Sequence, residues 1–405
     1  MKYDFSARAH TLMSSPLLSI RTQTRRGSVI SLAEELPAEE LFPLPLLAEA
    51  ASTVISADAQ ALQYGDPEGY GPLREWLAED WLNSKGVHIS RDGVLLTTGS
   101  QQAVDLLSRV YIDPGDCVLV ENPTSPGFLQ ALRMQGAVII PVNGDREGLL
   151  PEDLREKIIK NRPKLLFAAP SFTNPSGILW SLKRRKEVLE LCISHNVLIL
   201  EDDSYGDLHF KNQDRSGRKY PSLYALEDAG ESGHVLYIGS FSKTVAPALR
   251  TGWAAGSREL INVMAAAKGM ADWQSSSLNQ RLLYHLLHVS AFDLREHIAL
   301  LNREYGTRLK LMAELLKRAA WKDSTYDLPS GGMFLWVSLP EGLDAGILLK
   351  NALRKGVVFL PGPLCTADDS GSRYIRLNFS HPGRDELLLG MNLMSEAVTE
   401  FTARS

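Results

Sequence analysis

The sequence predicts an α/β protein, with a large domain on a mostly parallel sheet and a smaller α+β domain after it. Three observations carry this. From about residue 70, short apolar runs alternate with amphipathic stretches. Several runs are apolar throughout, as strands covered on both faces are. From about residue 325 the order changes to strand, helix, strand, strand, helix.

Residues 1–60 open with an irregular stretch rich in Ser, Arg and Pro, and a helical pattern follows over 44–56. Strands are expected at 93–98, 117–120, 137–142, 164–169, 197–200, 235–239 and 251–255. Helices fall between them at 100–111, 127–134, 151–160 and 182–195. Pro151 stands where a first-turn proline belongs. Two long helical stretches follow, 258–288 and 291–320. The last part reads as strand 333–337, helix 343–354, strands 357–360 and 374–378, and helix 385–399. No Gly/Ser linker separates the parts. The expected division is 1–60 for an N-terminal arm with part of the small domain, 61–290 for the large domain and 291–405 for the C-terminal small domain.

Composition narrows the function classes. The 405 residues carry 43 Lys+Arg against 48 Asp+Glu, a net charge of −5. This is ordinary globular usage, which excludes a disordered, collagen-like or disulfide-scaffold chain. Mild acidity argues against a general nucleic-acid binder, which needs a basic field. Cys117, Cys192 and Cys365 are far apart, with no CxxC and no cysteine–histidine cluster, so no metal site is expected and a reducing compartment is. The N-terminal MKYDFSARAH has charges where a signal peptide needs an apolar core. No apolar run approaches the ~18 residues of a membrane span, since 41–57 is broken by prolines and a glutamate. The expected protein is soluble, cytoplasmic and free of membrane.

In a doubly wound sheet, ligands bind at the carboxyl ends of strands. Four such ends here carry unusual polar groups. Thr97-Thr98-Gly99-Ser100-Gln101-Gln102 joins a strand to a helix, where Ser100 and Gln101 would present free N–H groups to a phosphate. It also reads as a plain serine N-cap. Asn174-Pro175-Ser176-Gly177 follows a strand and alone reads as a turn. Glu201-Asp202-Asp203-Ser204-Tyr205 closes a buried strand. A carboxylate there could hold a ligand cation such as a protonated ring nitrogen, or form a solvated acidic turn. Ser240-Phe241-Ser242-Lys243, with Arg250 beyond, offers a phosphate seat and a lysine. A lysine partly desolvated near other cations has a lowered pKa and could form a Schiff base. Standing alone, it is a surface loop lysine.

Together, in this order at successive strand ends, these motifs resemble the fold-type-I pyridoxal-phosphate enzymes, specifically the class I/II aminotransferases. The resemblance points to the aminoadipate/kynurenine aminotransferases and the effector domains of MocR-type regulators. It covers nearly the whole chain, through residues 30–43, 64–74, 99–102, 174–177, 201–205, 240–250, 331–336 and 374–380. It implies a central seven-stranded sheet, pyridoxal 5'-phosphate as cofactor, and amino-group transfer from an amino acid to a 2-oxo acid. On the resemblance, Lys243 is the Schiff-base lysine and Cα general base. Asp202 pairs with the ring nitrogen, and Tyr205 and Asn174 bond the ring oxygen. Ser100, Gln101, Ser240, Ser242 and Arg250 form the phosphate cup. Tyr64 matches a tyrosine that reaches the phosphate from a neighbouring subunit, which implies a homodimer with composite sites. Arg376 matches the arginine that grips the substrate α-carboxylate with its fork.

Two departures qualify the resemblance. Glu34 and Glu35 stand where the family usually has Gly-Gly before Leu-Pro. Either they are solvated, or they line a recess that prefers a cationic substrate. Ser125 stands where an aromatic ring usually stacks on the cofactor. Either Phe128 or Phe172 fills that space, or a bulky second substrate does. The same cofactor also runs β- or γ-elimination, γ-replacement and carbon–carbon bond formation, and a cationic amino acid such as S-adenosylmethionine would suit such a recess. A third expectation, a MocR-type sensing domain, is disfavoured because only about 30 residues precede Ile30.

Overall fold

The computed structural model describes residues 3–6, 8–9, 29–210, 220–227 and 233–402. The irregular N-terminal stretch lies mostly outside them. The strands that matter here begin with β1 (Ile30–Ser31), β2 (Val94–Thr97), β3 (Cys117–Glu121), β4 (Val138–Val142) and β5 (Leu165–Ala168). They continue with β6 (Leu198–Asp202), β7 (Val235–Ser240), β8 (Gly252–Ala255) and β9 (Thr325–Tyr326). The last four are β10 (Phe334–Ser338), β11 (Val357–Val358), β12 (Leu360–Pro361) and β13 (Tyr374–Asn378).

Strands β2 to β8 form one seven-stranded sheet in the order β2-β8-β7-β6-β5-β3-β4. Its pairings are parallel except those of β8, which runs antiparallel to both neighbours. Successive residues of each strand serve opposite faces, as strand geometry requires. Leu95, Val118, Phe167, Leu200 and Ile238 enter one apolar core, and Leu96, Leu119, Leu166, Ile199 and Tyr237 another. Both cores are capped by helices, which is why the strands read as unbroken apolar runs. Among these helices are α1 (Leu44–Ala57), α2 (Ser100–Tyr111), α3 (Pro126–Gln135), α4 (Pro151–Asn161) and α5 (Leu182–Ser194).

The expected helix over 258–288 is not continuous. It is α6 (Arg258–Ala271) and α7 (Ser277–Tyr284), the latter running straight on into a π-helical turn over His285–Val289. Trp273 takes φ +65° in the break, and the Ser276 side chain accepts the Asn279 amide to start the next helix. A helix over Gly71–Trp76, continued to Leu82, was not expected from the sequence pattern.

The second sheet is antiparallel, in the order β9-β10-β13-β12. Its core is shared with the long helix α8 (Leu294–Leu315), which contributes Leu301, Tyr305, Leu309 and Met312. Helices α9 (Ala345–Lys355) and α10 (Arg384–Thr402) complete it. The N-terminal residues join both parts. Strand β1 pairs with β11 on the small side, whereas α1 packs on α7 of the large side and buries Ala50 there. The segment between them, 32–43, therefore runs between the two sheets, where Glu35 meets Asn174 and Lys243 on one side and Arg376 on the other.

Candidate active site

The three acids that end β6 have separate partners. Glu201 is fully buried and accepts the amides of Leu223 at 2.8 Å and Tyr224 at 3.0 Å, capping the short helix Leu223–Leu226. Burial pushes its carboxyl up to about 7. Asp203 accepts the Tyr237 hydroxyl at 2.5 Å and pairs with Lys85 at 3.5 Å. Asp202 accepts the amide and hydroxyl of Ser204 through one oxygen, Oδ1, at 3.0 and 2.5 Å. Burial raises Asp202 to about 6, against the pull of those two hydrogen bonds.

Lys243 lies three residues beyond the end of β7. The segment is anchored by Phe241, buried against Trp253 and Trp76 with ring centroids 4.9 and 6.3 Å away. Lys243 Nζ donates to the Glu35 carbonyl at 2.6 Å and sits 5.9 Å from the Tyr205 ring centre. Burial lowers the lysine's pKa. Opposite, Arg376 extends from the middle of β13, in register with Trp336 and Leu360. It is almost wholly buried, with its guanidinium 4.2 Å from the Phe334 ring centre. Its Nη1 donates to Glu35 Oε1 at 2.8 Å and to Asn174 Oδ1 at 2.6 Å, and its Nη2 to the Ala33 carbonyl at 2.5 Å. Among the described residues its Nε has no partner.

Glu35 ties these groups together. Its Oε1 also accepts Asn174 Nδ2 at 2.7 Å, and Tyr205 Oη donates to Oε2 at 3.4 Å. Burial acts to raise the Glu35 carboxyl. The charges of Arg376 and Lys243 and the hydrogen bonds from Arg376 and Asn174 overcome it and hold it at about 2. Burial drives the Tyr205 phenol well above its usual range, and the Glu35 and Asp202 charges add to this. Asn174 is set by a tight turn in which Gly177 donates to the Thr173 carbonyl at 2.7 Å.

A second cluster is suited to an anion. Gly99 precedes α2 with φ +78°, and no side chain caps the helix. Arg250, itself at φ +46°, donates to the Thr98 carbonyl at 2.9 Å and to Ser242 Oγ at 3.5 Å. Ser240 Oγ donates to Ser242 Oγ at 2.9 Å and accepts the Ser242 amide at 3.1 Å. A Cβ at position 99 would lie 2.5 Å from Arg250 Nη2, so only glycine leaves this cradle open. Helix-start amides, two hydroxyls and a guanidinium are a donor set for phosphate. With Asp202 for a ring cation and Lys243 for an aldehyde, the residues present fit pyridoxal phosphate.

Other expected residues lie differently. Gln101 directs its side-chain amide to the Gly127 carbonyl at 3.3 Å, and Ser100 opens α2. Glu34 takes part through its carbonyl, which accepts Asn378 Nδ2 at 2.7 Å. Ser125 is the N-cap residue of α3 without a side-chain capping bond. Phe128 stacks on Phe167 in the core at 3.7 Å between ring centres, and Phe172 is buried in the core beneath the second sheet. Tyr64 is 78% exposed and outside the cluster. Sequence reasoning missed Ala33, Asn378 and Ser204 as supports of the site. Ser204 was findable, because a serine two residues after an aspartate is a common local turn partner. Among the described residues, no group of His, Cys, Asp and Glu could hold a metal ion. No described helix is long and apolar enough to cross a membrane.

Residues 28–388 match the family model for aminotransferase class I and II. The chain belongs to that family. This aminotransferase is 36% identical to the 2-aminoadipate transaminase of Thermus thermophilus, over 97% of this chain and 96% of the relative. It is 34% identical to aromatic-amino-acid aminotransferase 1 of Thermococcus litoralis, over 98% and 94%. Among solved structures, the alpha-aminoadipate aminotransferase of Thermus thermophilus, complexed with N-(5'-phosphopyridoxyl)-L-leucine, superposes with a TM-score of 0.91 at 34% identity. That match covers 99% of this chain and 98% of the other. The aminotransferase has the fold-type-I architecture and uses pyridoxal phosphate for amino-group transfer.

Proposed function

We propose that the protein transfers the amino group of an α-amino acid to a 2-oxo acid, with Lys243 as the cofactor-binding lysine. The observation that carries this is the hydrogen-bonded cluster of Lys243, Tyr205, Asn174 and Arg376, beside Asp202 and the anion cradle. Pyridoxal phosphate, when bound, supplies an aldehyde that condenses with amines and a ring that accepts electron density from Cα. Ser240, Ser242, Arg250 and the Ser100 and Gln101 amides would hold its phosphate. Asp202 would face its ring nitrogen, where a cation relieves the desolvated carboxylate. Tyr205 and Asn174 would serve its ring oxygen. Arg376 binds the substrate carboxylate through its fork and fixes the orientation at Cα. Lys243 Nζ, with its pKa lowered, has a larger neutral share to take the Cα proton and return it.

Two finer points belong to the same reading. The protein acts as a homodimer in which Tyr64 serves the partner's site. Its support is the exposure of four large apolar side chains, Leu62, Tyr64, Met270 and Trp273, with Trp273 Nε1 donating to the carbonyl of Gly65, next to Tyr64, at 3.2 Å. It works in the cytoplasm, since Cys117, Cys192 and Cys365 are all unpaired, as suits a reducing compartment.

The test is borohydride reduction of the purified protein followed by peptide mass mapping. A pyridoxyl group is expected on the peptide containing Lys243, and Lys243→Ala is expected to lose both the label and turnover. A substrate panel with product mass spectrometry should show a 2-oxo acid and the aminated cofactor accumulating together. A labelled peptide without Lys243, or products that keep the α-amino group, would overturn the reading.

A further inference from the structure

In this structure the arginine proposed to bind the substrate carboxylate already holds a carboxylate, that of Glu35. Arg376 Nη1 and Asn174 Nδ2 both meet Glu35 Oε1, at 2.8 and 2.7 Å. The Glu35 carbonyl meanwhile accepts Lys243 at 2.6 Å. One residue therefore engages the groups that the substrate's carboxylate and amine need.

We propose that Glu35 makes the site selective for amino acids with a positively charged side chain, by ceding Arg376 to the substrate α-carboxylate and taking the substrate's cation in exchange. This names the substrate class of the function proposed above, and it rests on Arg376 as the carboxylate anchor.

The argument begins with the backbone around Glu35, which is pinned on both sides. The Leu32 amide donates to the Val358 carbonyl at 2.8 Å, and the Ala33 carbonyl accepts Arg376 at 2.5 Å. The Glu34 carbonyl accepts Asn378 Nδ2 at 2.7 Å, and the Leu36 carbonyl accepts Ser380 Oγ at 2.9 Å. The main chain cannot carry Glu35 out of the cleft without breaking these bonds, so a displaced carboxylate moves only by side-chain rotation. It stays in the recess, within a side chain's length of its old position.

There it is half-buried and charged. Its remaining polar neighbours in the cluster, Asn174 at 2.7 Å and Tyr205 at 3.4 Å, are neutral donors that bring no positive charge. A buried or half-buried anion that loses its cation is destabilised unless another replaces it. Lys243 does not fill that role on the proposed reading, because its amine is joined to the cofactor or neutral as the base. Arg250 is occupied in the phosphate cradle, bonded to Thr98 and Ser242. The incoming amino acid is then the source of charge. A neutral side chain leaves Glu35 unpaired, and a cationic one restores the pair.

The experiment is spectral titration of the holoenzyme, following the cofactor absorption, with two matched pairs of probes. L-lysine is compared with L-norleucine, and S-methyl-L-methionine with L-methionine, so that the members differ chiefly in a side-chain charge. In the wild type, at least one cationic probe should bind about tenfold or more tighter than its neutral partner, the scale of a close charge pair. Glu35→Gln should weaken the cationic probe, tighten the neutral one and bring the ratio near unity. Glu35→Asp should keep the preference, which a merely structural role would not predict. Equal tightening of both probes in Glu35→Gln would make Glu35 a simple competitor and overturn the proposal. So would a wild type that binds each pair alike. Arg376→Gln separates the two readings, since unchanged affinity for every probe would instead overturn the carboxylate anchor.

Discussion

Glu121 ends β3 as a carboxyl held away from water. It is buried, its Oε1 accepts the Ala169 amide at 3.2 Å, and its Oε2 has no partner among the described residues. Burial raises its pKa from 4.5 to about 8, against the Ala169 amide, Thr173 and Arg185, with nearby Asp202 adding to the rise. An unfolded glutamate loses its proton near 4.5, whereas the folded one keeps it until about 8. Folding therefore holds a proton across that window, and stability falls as pH rises through it. Glu121→Gln keeps the acceptor for Ala169 and has no proton to lose. At pH 5 its melting temperature should be close to wild type. By pH 8.5 it should be the more stable protein, by on the order of a few kcal/mol, since each tenfold change in proton affinity is worth about 1.36 kcal/mol. Parallel melting curves against pH for the two proteins would sink this. Glu121 also shows what a linear sequence withholds at this scale. Lys243 drew notice because a lysine is chemically unusual at a strand end, whereas Arg376, in the middle of its strand, was singled out only through the family resemblance. The division of labour among Glu201, Asp202 and Asp203 was not readable, because it depends on which neighbours, Leu223, Ser204 or Tyr237, each acid meets. Glu35 had two open readings, since its partner Arg376 is 341 residues away.

The start of α2 shows how an element builds a site. Gly99 has φ +78° and ψ 167°, a conformation in which a side chain is strained, by roughly 1–3 kcal/mol for a residue so placed. A methyl there would also meet the Arg250 guanidinium at 2.5 Å. Gly99→Ala should therefore push Arg250 from the cradle. Cofactor affinity should fall about tenfold or more, each factor of ten being about 1.4 kcal/mol, and the melting temperature should drop with it. Titration of apoprotein with pyridoxal phosphate reads this directly, and unchanged affinity would refute the cradle. The seven sheet strands were legible to within a residue or two because most are buried on both faces and so apolar throughout, the half-exposed edge strand β4 being marked by its β-branched run. The gap between α6 and α7 was hidden because no proline or glycine marks 272–276. Ser276, the cap that restarts the helix, was the available signal. The helix from Gly71 was likewise marked by Pro72 in its first turn and by Leu73, Leu77 and Trp81 on its buried face.

At the scale of the molecule, the exposed aromatic and apolar side chains require an account. Leu62 is 70% exposed, Tyr64 78% and Met270 90%, which leaves apolar surface in water unless a partner covers it. If a second copy covers it, each site borrows Tyr64 from the other subunit, and the loss of one hydroxyl acts across the interface. Tyr64→Ala should then lower cofactor affinity by about ten- to a hundredfold, the range for a hydrogen bond to a charged group, while leaving the lysine in place. A mixing experiment isolates the cross-subunit element. Subunits carrying Lys243→Ala keep a good tyrosine but have no reactive amine. Subunits carrying Tyr64→Ala keep the amine but offer no tyrosine. In a hybrid dimer the second subunit's site has its own Lys243 and the first subunit's Tyr64, so one complete site is rebuilt. Random reassociation makes about half the dimers hybrid, each with one of two sites intact, so about a quarter of wild-type sites should return. Activity at limiting cofactor should rise toward that fraction after co-unfolding and refolding, and only when both variants are present. If the mixture gives only the sum of its parts, Tyr64 serves its own subunit or none, and the composite site is wrong.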